Sequence, residues 1–375
     1  MDSHGLRNLL RSWHNTDYKM SKNKHIKYII LAVFLLLLAG GYFGERFFAE
    51  TIHAKNMISS TEELSQRITE ELMDGKESFM TYVNGMSEEQ LVAINKNLDG
   101  FFGHVDSYTM IRRVNDHVSQ VVFNLVVSDN YYAYQNVVHG VSITDHMSAQ
   151  ILAEKVKQIM RDCQGTTDYE SVVNYHDYIV GHTKYGFLSG EEEALSYTAT
   201  GSLLHGTAVC NGYAEAMELL LLCSGIDTYM VVGFTPDGSH AWNIVSIDEQ
   251  WYHVDTTWDD PVDADSGNMS SSETHVYLNV NDEVMKKTHT WNAAAYPKCE
   301  SMDANYFNRE QLSFQTVEDL KTYVMKEYPG VHEYEIQLTN HGMNQTDLEN
   351  IAHNIHASSA AYITYESGMY SVYRL

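Results

Sequence analysis

The residues whose types and spacing could do chemistry lie in two stretches. The first is GTAVCNGYAEAMELLLL, Gly206 to Leu222. It sets Cys210 at the start of a helical pattern, with Ala214, Met217 and Leu221 following at i+4, i+7 and i+11. The first N–H groups of a helix have no intrahelical partner, and together with the helix dipole they favour a thiolate there. A low-pKa thiolate is the species that attacks a carbonyl carbon. The competing reading is packing, because free cysteine is among the most buried residue types.

The second stretch is GSHAWNIVSIDEQWYHVDTTWDD, residues 238–260. Alternation on both sides of Asp248-Glu249 predicts two strands joined by a two-residue turn. That turn pairs Ile247 with Gln250, so Trp242 faces Asp255 and His240 faces Thr257. His240 and Asp255 then share one face, diagonal to each other and within side-chain reach. A carboxylate so placed fixes the tautomer of an imidazole and stabilises its protonated form. Two features pull the other way. Glu249 suits a type I′ turn poorly, since glycine is preferred there. The chain also has 19 histidines, so a histidine near an aspartate is not a rare event. His253, two residues from Asp255 on the same expected face, competes with His240 as the base.

A metal reading rests on the crowding of His253, Asp255, Asp259, Asp260, Asp263 and Asp265. DADSGN lacks the glycine of a calcium loop, and no H-E-x-x-H or comparable zinc spacing occurs. The acids read as a solvated loop, and neither a metal nor another cofactor is expected.

The elements that position these residues sit in a chain of 375 residues, 44% hydrophobic and 20% charged, an ordinary globular balance with room for two or three modest domains. Against 50 Asp+Glu stand 24 Lys+Arg, a formal net charge of −26. That balance argues against general nucleic-acid binding, because phosphate contacts need basic patches. Cys163, Cys210, Cys223 and Cys299 are too few and too widely spaced for a disulfide framework or a cysteine zinc site. YIILAVFLLLLAGGYFG, Tyr28 to Gly44, is uncharged and follows Lys19, Lys22, Lys24 and Lys27. It predicts a single-pass anchor in the cell membrane, with a cytoplasmic N-terminus and everything after Glu45 outside. A cleaved signal peptide is the rival reading.

Further along, helices are expected over 45–75, Ser87–Leu98 (with Ser87 and Gln90 as a capping box), Ser148–Met160 and 168–185. QVVFNLVV and YYAYQNVVH read as strands. Residues 311–375 read as helix (Thr316–Glu327), strand (His332–Leu338), helix (Gln345–His356) and a final hairpin. The division expected is 1–25 cytoplasmic, 26–44 anchor, 45–150 N-terminal α/β module, 151–310 catalytic domain and 311–375 C-terminal α/β module.

AVCNGYAEA, HAWNIV and WYHVDTTWDDP, in that order, resemble the transglutaminase-like superfamily of cysteine enzymes, and within it bacterial membrane-anchored or secreted members. The resemblance covers about 195–262, extends weakly to DYESVVNYHDYIVGHTKY, and touches THVYLNVNDEVMKKTHTW and YPKC downstream. It implies an α+β, papain-like fold with the nucleophile helix packed on an antiparallel sheet. It implies Cys210 as nucleophile, His240 as general base and acid, and Asp255 as the residue that orients His240. The Cys210 N–H is a candidate oxyanion donor. Tyr213, Trp242, Tyr252 and Trp258 are candidate pocket walls, with ordinary aromatic core as the competing reading. Asn243 falls on the opposite strand face. Gly212 is expected to keep the approach to the thiol open. The function implied is extracytoplasmic acyl transfer on peptide or protein amides, the cell envelope among their sources, ending in hydrolysis or transamidation. A non-catalytic envelope scaffold that keeps the fold is the alternative.

Overall fold

The computed structural model describes residues 57–94, 98, 101–113, 117–260, 274–327, 335–338, 345–354, 361–364 and 371–374. The anchor expected over 26–44, and Asp263 and Asp265, lie outside them. Among the described residues no helix is long and apolar enough to cross a membrane.

The chain divides into two units. The smaller holds the described residues of Met1–Ser59, Met80–Met86 and Met110–Val121. In it, Met57–Ile58 (β1) runs parallel to Tyr82 and Val83 of Ser78–Asn84 (β2). Gly85 N–H donates to the His117 carbonyl at 2.8 Å. Gly103–Arg113 (β3) and Val118–Val127 (β4) are the next strands. The larger unit takes Ser60–Phe79, Ser87–Thr109 and Val122–Leu375.

Caps set the early helices of the larger unit. Thr61–Met73 (α1) starts where Ser60 accepts the Glu63 N–H at 3.1 Å. Glu88–Val92 (α2) has the expected Ser87/Gln90 capping box but stops short of Leu98. YYAYQNVVH, expected as a strand, is instead helix Asp129–His139 (α3). Its tyrosines and valines favour strands only weakly and by context. The ends decide: Ser128 accepts the Tyr131 N–H, and Gly140 closes the helix at φ 67°. Met147–Cys163 (α4) and Asp168–His182 (α5) follow as expected in kind. α5 opens on a Thr167/Glu170 capping box and buries Val172, Tyr175, Ile179 and Val180.

Lys184–Tyr185 (β5) pairs in parallel with Thr207–Ala208 (β6). Between them lie the 3₁₀ turn Gly190–Tyr197 and Ala199–Leu203 (α6). Cys210–Cys223 (α7) then buries Ala214, Met217, Leu219, Leu220 and Leu221. A helix apolar nearly all round is a core helix, and each leucine so buried contributes about 1.5–3 kcal/mol of transfer free energy.

The central sheet joins Thr228–Thr235 (β7), Gly238–Ile247 (β8), Gln250–Val254 (β9), Leu278–Val280 (β10) and Thr290–Trp291 (β11) in the order β10-β9-β8-β7-β11. Ile247 pairs with Gln250, as the turn predicts. Asp248 and Glu249 take φ 51° and 63°, the type I′ pattern, despite the poor fit of glutamate. Alternate residues of β8 face opposite ways. Ala241 and Asn243 meet α7: Ala241 packs with Ala214 and Met230, and Asn243 Nδ2 donates to the Ala214 carbonyl at 3.1 Å. Trp242 and Ile244 enter a second core with Tyr277, Met285 and Phe307. Asp282–Met285 (α8) and Tyr306–Arg309 (α9) border that core.

At the C-terminal end, Ser313–Phe314 (β12), Glu335–Leu338 (β13), Ala361–Thr364 (β14) and Ser371–Arg374 (β15) form a sheet in the order β12-β13-β15-β14. Val317–Glu327 (α10) and Gln345–Asn354 (α11) alternate with them; the order helix, strand, helix, hairpin was expected, and β12 was not. The chain is a mixed α+β protein.

Candidate active site

Cys210 occupies the first turn of α7. It is partly exposed, whereas Cys223 and Cys299 are buried. Burial raises the Cys210 pKa, but the His240 hydrogen bond and charge and the Ala241 backbone N–H outweigh it and hold the thiol below its ordinary value. Cys223, buried with no such partners, is pushed up to about 12.

His240 stands near the start of β8, where its backbone faces Gly233 of β7. Its Nε2 lies 2.8 Å from Asp255 Oδ2. An ionised carboxylate only accepts, so the ring donates Nε2–H and turns Nδ1 to the thiol. Burial pulls the His240 pKa down. The Asp255 charge and hydrogen bond, then those of Cys210, reverse that and raise it to about 10. Both shifts favour the thiolate–imidazolium form of the pair.

Asp255 follows β9 and is fully buried. Oδ1 accepts the backbone N–H of Thr257 and of Trp258, both at 3.1 Å. Oδ2 accepts from His240 and also from His289 Nε2 at 3.1 Å. Burial would raise the carboxyl pKa; the His240 charge and hydrogen bond, then the His289 hydrogen bond, hold it well below the usual carboxylate range.

The expected aromatic walls separate. Trp242 is buried behind His240, rings 5.9 Å apart and near parallel. Tyr213 is fully buried and gives its hydroxyl to Asp260. Tyr252 pairs with Val245, on the sheet face away from His240 and Asp255. These three belong to the core and do not line an open pocket. Trp258 keeps partial exposure, 6.1 Å from the His240 ring.

Gly212 also differs from expectation. A Cβ there would meet the Ser196 carbonyl at 2.7 Å and the Ala208 Cβ at 2.8 Å. The glycine lets α7 press against the 3₁₀ turn and β6; it does not clear a path to the thiol. Asn243 satisfies a backbone carbonyl on the face opposite His240.

The acids expected as a solvated loop are in part interior. Asp259 is fully buried, accepting from Thr274 and from the Tyr277 N–H and lying 3.1 Å from His176 Nε2. Sequence reasoning missed His176, His275, His289 and Asp282, because the contacts His176–Asp259, His275–Asp177, His289–Asp255 and Asp282–His253 each cross a long span of chain. His240–Asp255–His289, His176–Asp177–His275 and His253–Asp282–Cys299 each gather three potential metal-ligand atoms within 4.8 Å. In every group a carboxylate oxygen already receives a histidine nitrogen at 2.8–3.1 Å.

Residues 155–256 match the family model described as transglutaminase-like superfamily. The kyphoscoliosis peptidase of Homo sapiens is 27% identical over 120 residues, 28% of this chain and 18% of that protein's length. A crystal structure of a TGase is 14% identical, with a TM-score of 0.25 over 53% of this chain and 54% of the other. The periplasmic domain of TgpA from Pseudomonas aeruginosa, bound to ethylmercury, is 15% identical, with a TM-score of 0.24 over 41% and 66%. The matched stretch runs from within α4 to just past Asp255 and carries Cys210, His240 and Asp255 together. By that match residues 155–256 are similar to the transglutaminase-like superfamily.

Proposed function

We propose that the protein is a cysteine acyl-transfer enzyme acting on peptide or protein amides. The observation that supports this most directly is the unbroken line from Cys210 through His240 to the buried Asp255. Cys210 is the nucleophile, His240 the acid and base, and Asp255 the anion that orients His240.

The thiolate sulfur bonds to the amide carbonyl carbon, and the carbonyl electron pair moves onto oxygen. The Cys210 N–H, at the unpaired start of α7, donates to that oxyanion. The C–N bond then breaks as His240 Nδ1–H passes its proton to the departing amine, leaving a thioester. An incoming nucleophile gives a proton to Nδ1 and attacks the thioester carbon. Collapse expels the Cys210 thiolate and restores the imidazolium. Water as the nucleophile makes the reaction hydrolysis; an amine makes it transamidation. Hydrolysis is the outcome we favour. Placement outside the cytoplasm, through the apolar segment 28–44, belongs to the same proposal.

The test is capture by an electrophilic peptide library, comparing wild type with Cys210→Ala. Capture by wild type alone supports the reading and reports the substrate class; capture by neither form sinks it. Iodoacetamide labelling between about pH 5 and 9 addresses the scaffold alternative. A Cys210 no more reactive than Cys223 would favour the scaffold.

A further inference from the structure

We infer that His289 is a positioning residue of the catalytic line, donating from the far side of Asp255 to hold that carboxylate aimed at His240. The inference rests on the reading of Cys210, His240 and Asp255 as the reacting group.

His289 lies between α8 and β11, outside the 155–256 stretch. Its side chain and that of Asp255 have no exposed surface. The Nε2 atom is 3.1 Å from Asp255 Oδ2, the same oxygen that receives His240 Nε2 at 2.8 Å. The other nitrogen, Nδ1, is 2.8 Å from the Thr288 hydroxyl. An ionised Asp255 offers no hydrogen, so His289 Nε2 must be the donor, and in the neutral ring the Thr288 O–H fills Nδ1. The Thr288 hydroxyl, able to donate or accept, accommodates the tautomer that Asp255 needs.

The ring is wedged in place. Trp258 lies 4.5 Å away, Trp242 5.0 Å in edge contact, and Tyr277 5.6 Å. β11 delivers His289 to this slot by pairing with β7, Trp291 opposite Gly233. Gly233 allows the approach, since a Cβ there would meet the Thr290 carbonyl at 2.3 Å and the Trp242 ring at 2.7 Å.

Two backbone N–H groups fix Oδ1 of Asp255. Oδ2 carries the contact that orients His240, and without His289 its other lone-pair direction faces a dry, apolar slot. A carboxylate with an unfilled acceptor in such surroundings loses charge or turns. Either change weakens its hold on the His240 imidazolium and, through it, the Cys210 thiolate. A ring that merely filled space would not need an N–H on this atom.

The experiment uses the full chain and reads the iodoacetamide alkylation rate of Cys210 at neutral pH, by mass spectrometry of its peptide, with Cys223 as internal control. Wild-type Cys210 alkylating no faster than Cys223 would defeat the reading of the catalytic line itself. Given a reactive wild type, His289→Phe is expected to slow Cys210 alkylation about tenfold or more, the equivalent of one lost hydrogen bond to a charged group. His289→Gln, whose amide N–H can occupy the Nε2 position, is expected to recover most of the rate. A His289→Phe protein that alkylates at the wild-type rate overturns the inference. So does a folded His289→Gln protein no faster than His289→Phe. Should either variant fail to fold, the imidazole ¹⁵N–¹H spectrum of wild type decides. A proton on His289 Nε2 supports the role, and a proton on Nδ1 alone overturns it.

Discussion

Trp242 donates its indole N–H to His253 Nδ1 at 3.0 Å, while His253 Nε2 meets Asp282 Oδ1 at 3.0 Å. Both nitrogens are thereby committed. The Nδ1 atom accepts, so the ring is neutral, and burial, outweighing Asp282, lowers its pKa in keeping with that. This hydrogen bond takes His253 out of competition with His240 as the base, a choice the sequence left open.

His253→Leu separates the two histidines. It leaves the Trp242 N–H and an Asp282 oxygen short of partners, and is expected to lower stability by about 1–3 kcal/mol in urea unfolding. Iodoacetamide alkylation of Cys210 in the folded variant should stay within about threefold of wild type, well short of the loss expected for His240→Ala at roughly 1.4 kcal/mol per tenfold. Equal losses in the two variants would return His253 to the role of base.

The His240 shift makes stability depend on pH. Its pKa rises from 6.5 to about 10 on folding. The folded state therefore keeps a proton that the unfolded chain releases above about 6.5. The stability so gained is fully present below that value and is lost as pH climbs through about 10. The lowered Cys210 pKa acts in the opposite sense, so the fall in urea midpoint across this window should be read in Cys210→Ala, and adding His240→Gln should flatten part of it. An unchanged slope in the double variant would show that the imidazolium is not held as described.

Glu215 of α7 is a buried carboxylate fed by three donors. Oε2 accepts from Asn130 Nδ2 at 2.9 Å and the Ala199 N–H at 3.1 Å, and Oε1 accepts from Asn211 Nδ2 at 3.0 Å. In Glu215→Gln one amide NH₂ must face a donor whichever way it is turned. A loss of about 1–3 kcal/mol is expected in chemical denaturation. Wild-type stability would mean that one of these groups already acts in the other sense.

Gly212→Ala tests the seating of the nucleophile helix. The added methyl would press on the Ser196 and Thr198 carbonyls and on Ala208, none of which is a flexible side-chain end. Overpacking of this kind costs about 1–3 kcal/mol. The melting temperature should fall and Cys210 alkylation should slow, since the first turn of α7 must shift. A variant as stable as wild type would remove Gly212 from the seating of that turn.

How much of this was legible in the sequence depends on the distance over which each contact acts. The β8–β9 register followed from local alternation and a two-residue turn, so the His240–Asp255 encounter could be reasoned out. The α3 helix was misread because three tyrosines and two valines outweighed Ser128 and Gly140, although those end signals decide the matter. Tyr213, Trp242 and Tyr252 were misplaced for a different reason. Both faces of the sheet are covered, one by α7 and one by the Tyr277–Phe307 core, and alternation cannot show that a second layer exists. His289 reaches Asp255 across 34 residues and His176 reaches Asp259 across 83. No periodicity links positions so far apart.

The pairing of β10 with β9 has a practical consequence. Leu278 and Val280 cover Val254 and His253 along the hydrogen-bonding edge of β9. A fragment ended at residue 256, where the family match stops, would lose this cover together with Asp282 and His289. The N–H and C=O groups of β9 would then face outward as a bare template for another chain. Such a fragment is expected to self-associate, and its insolubility would report an uncovered strand edge, not a failure of the Cys210–His240–Asp255 line.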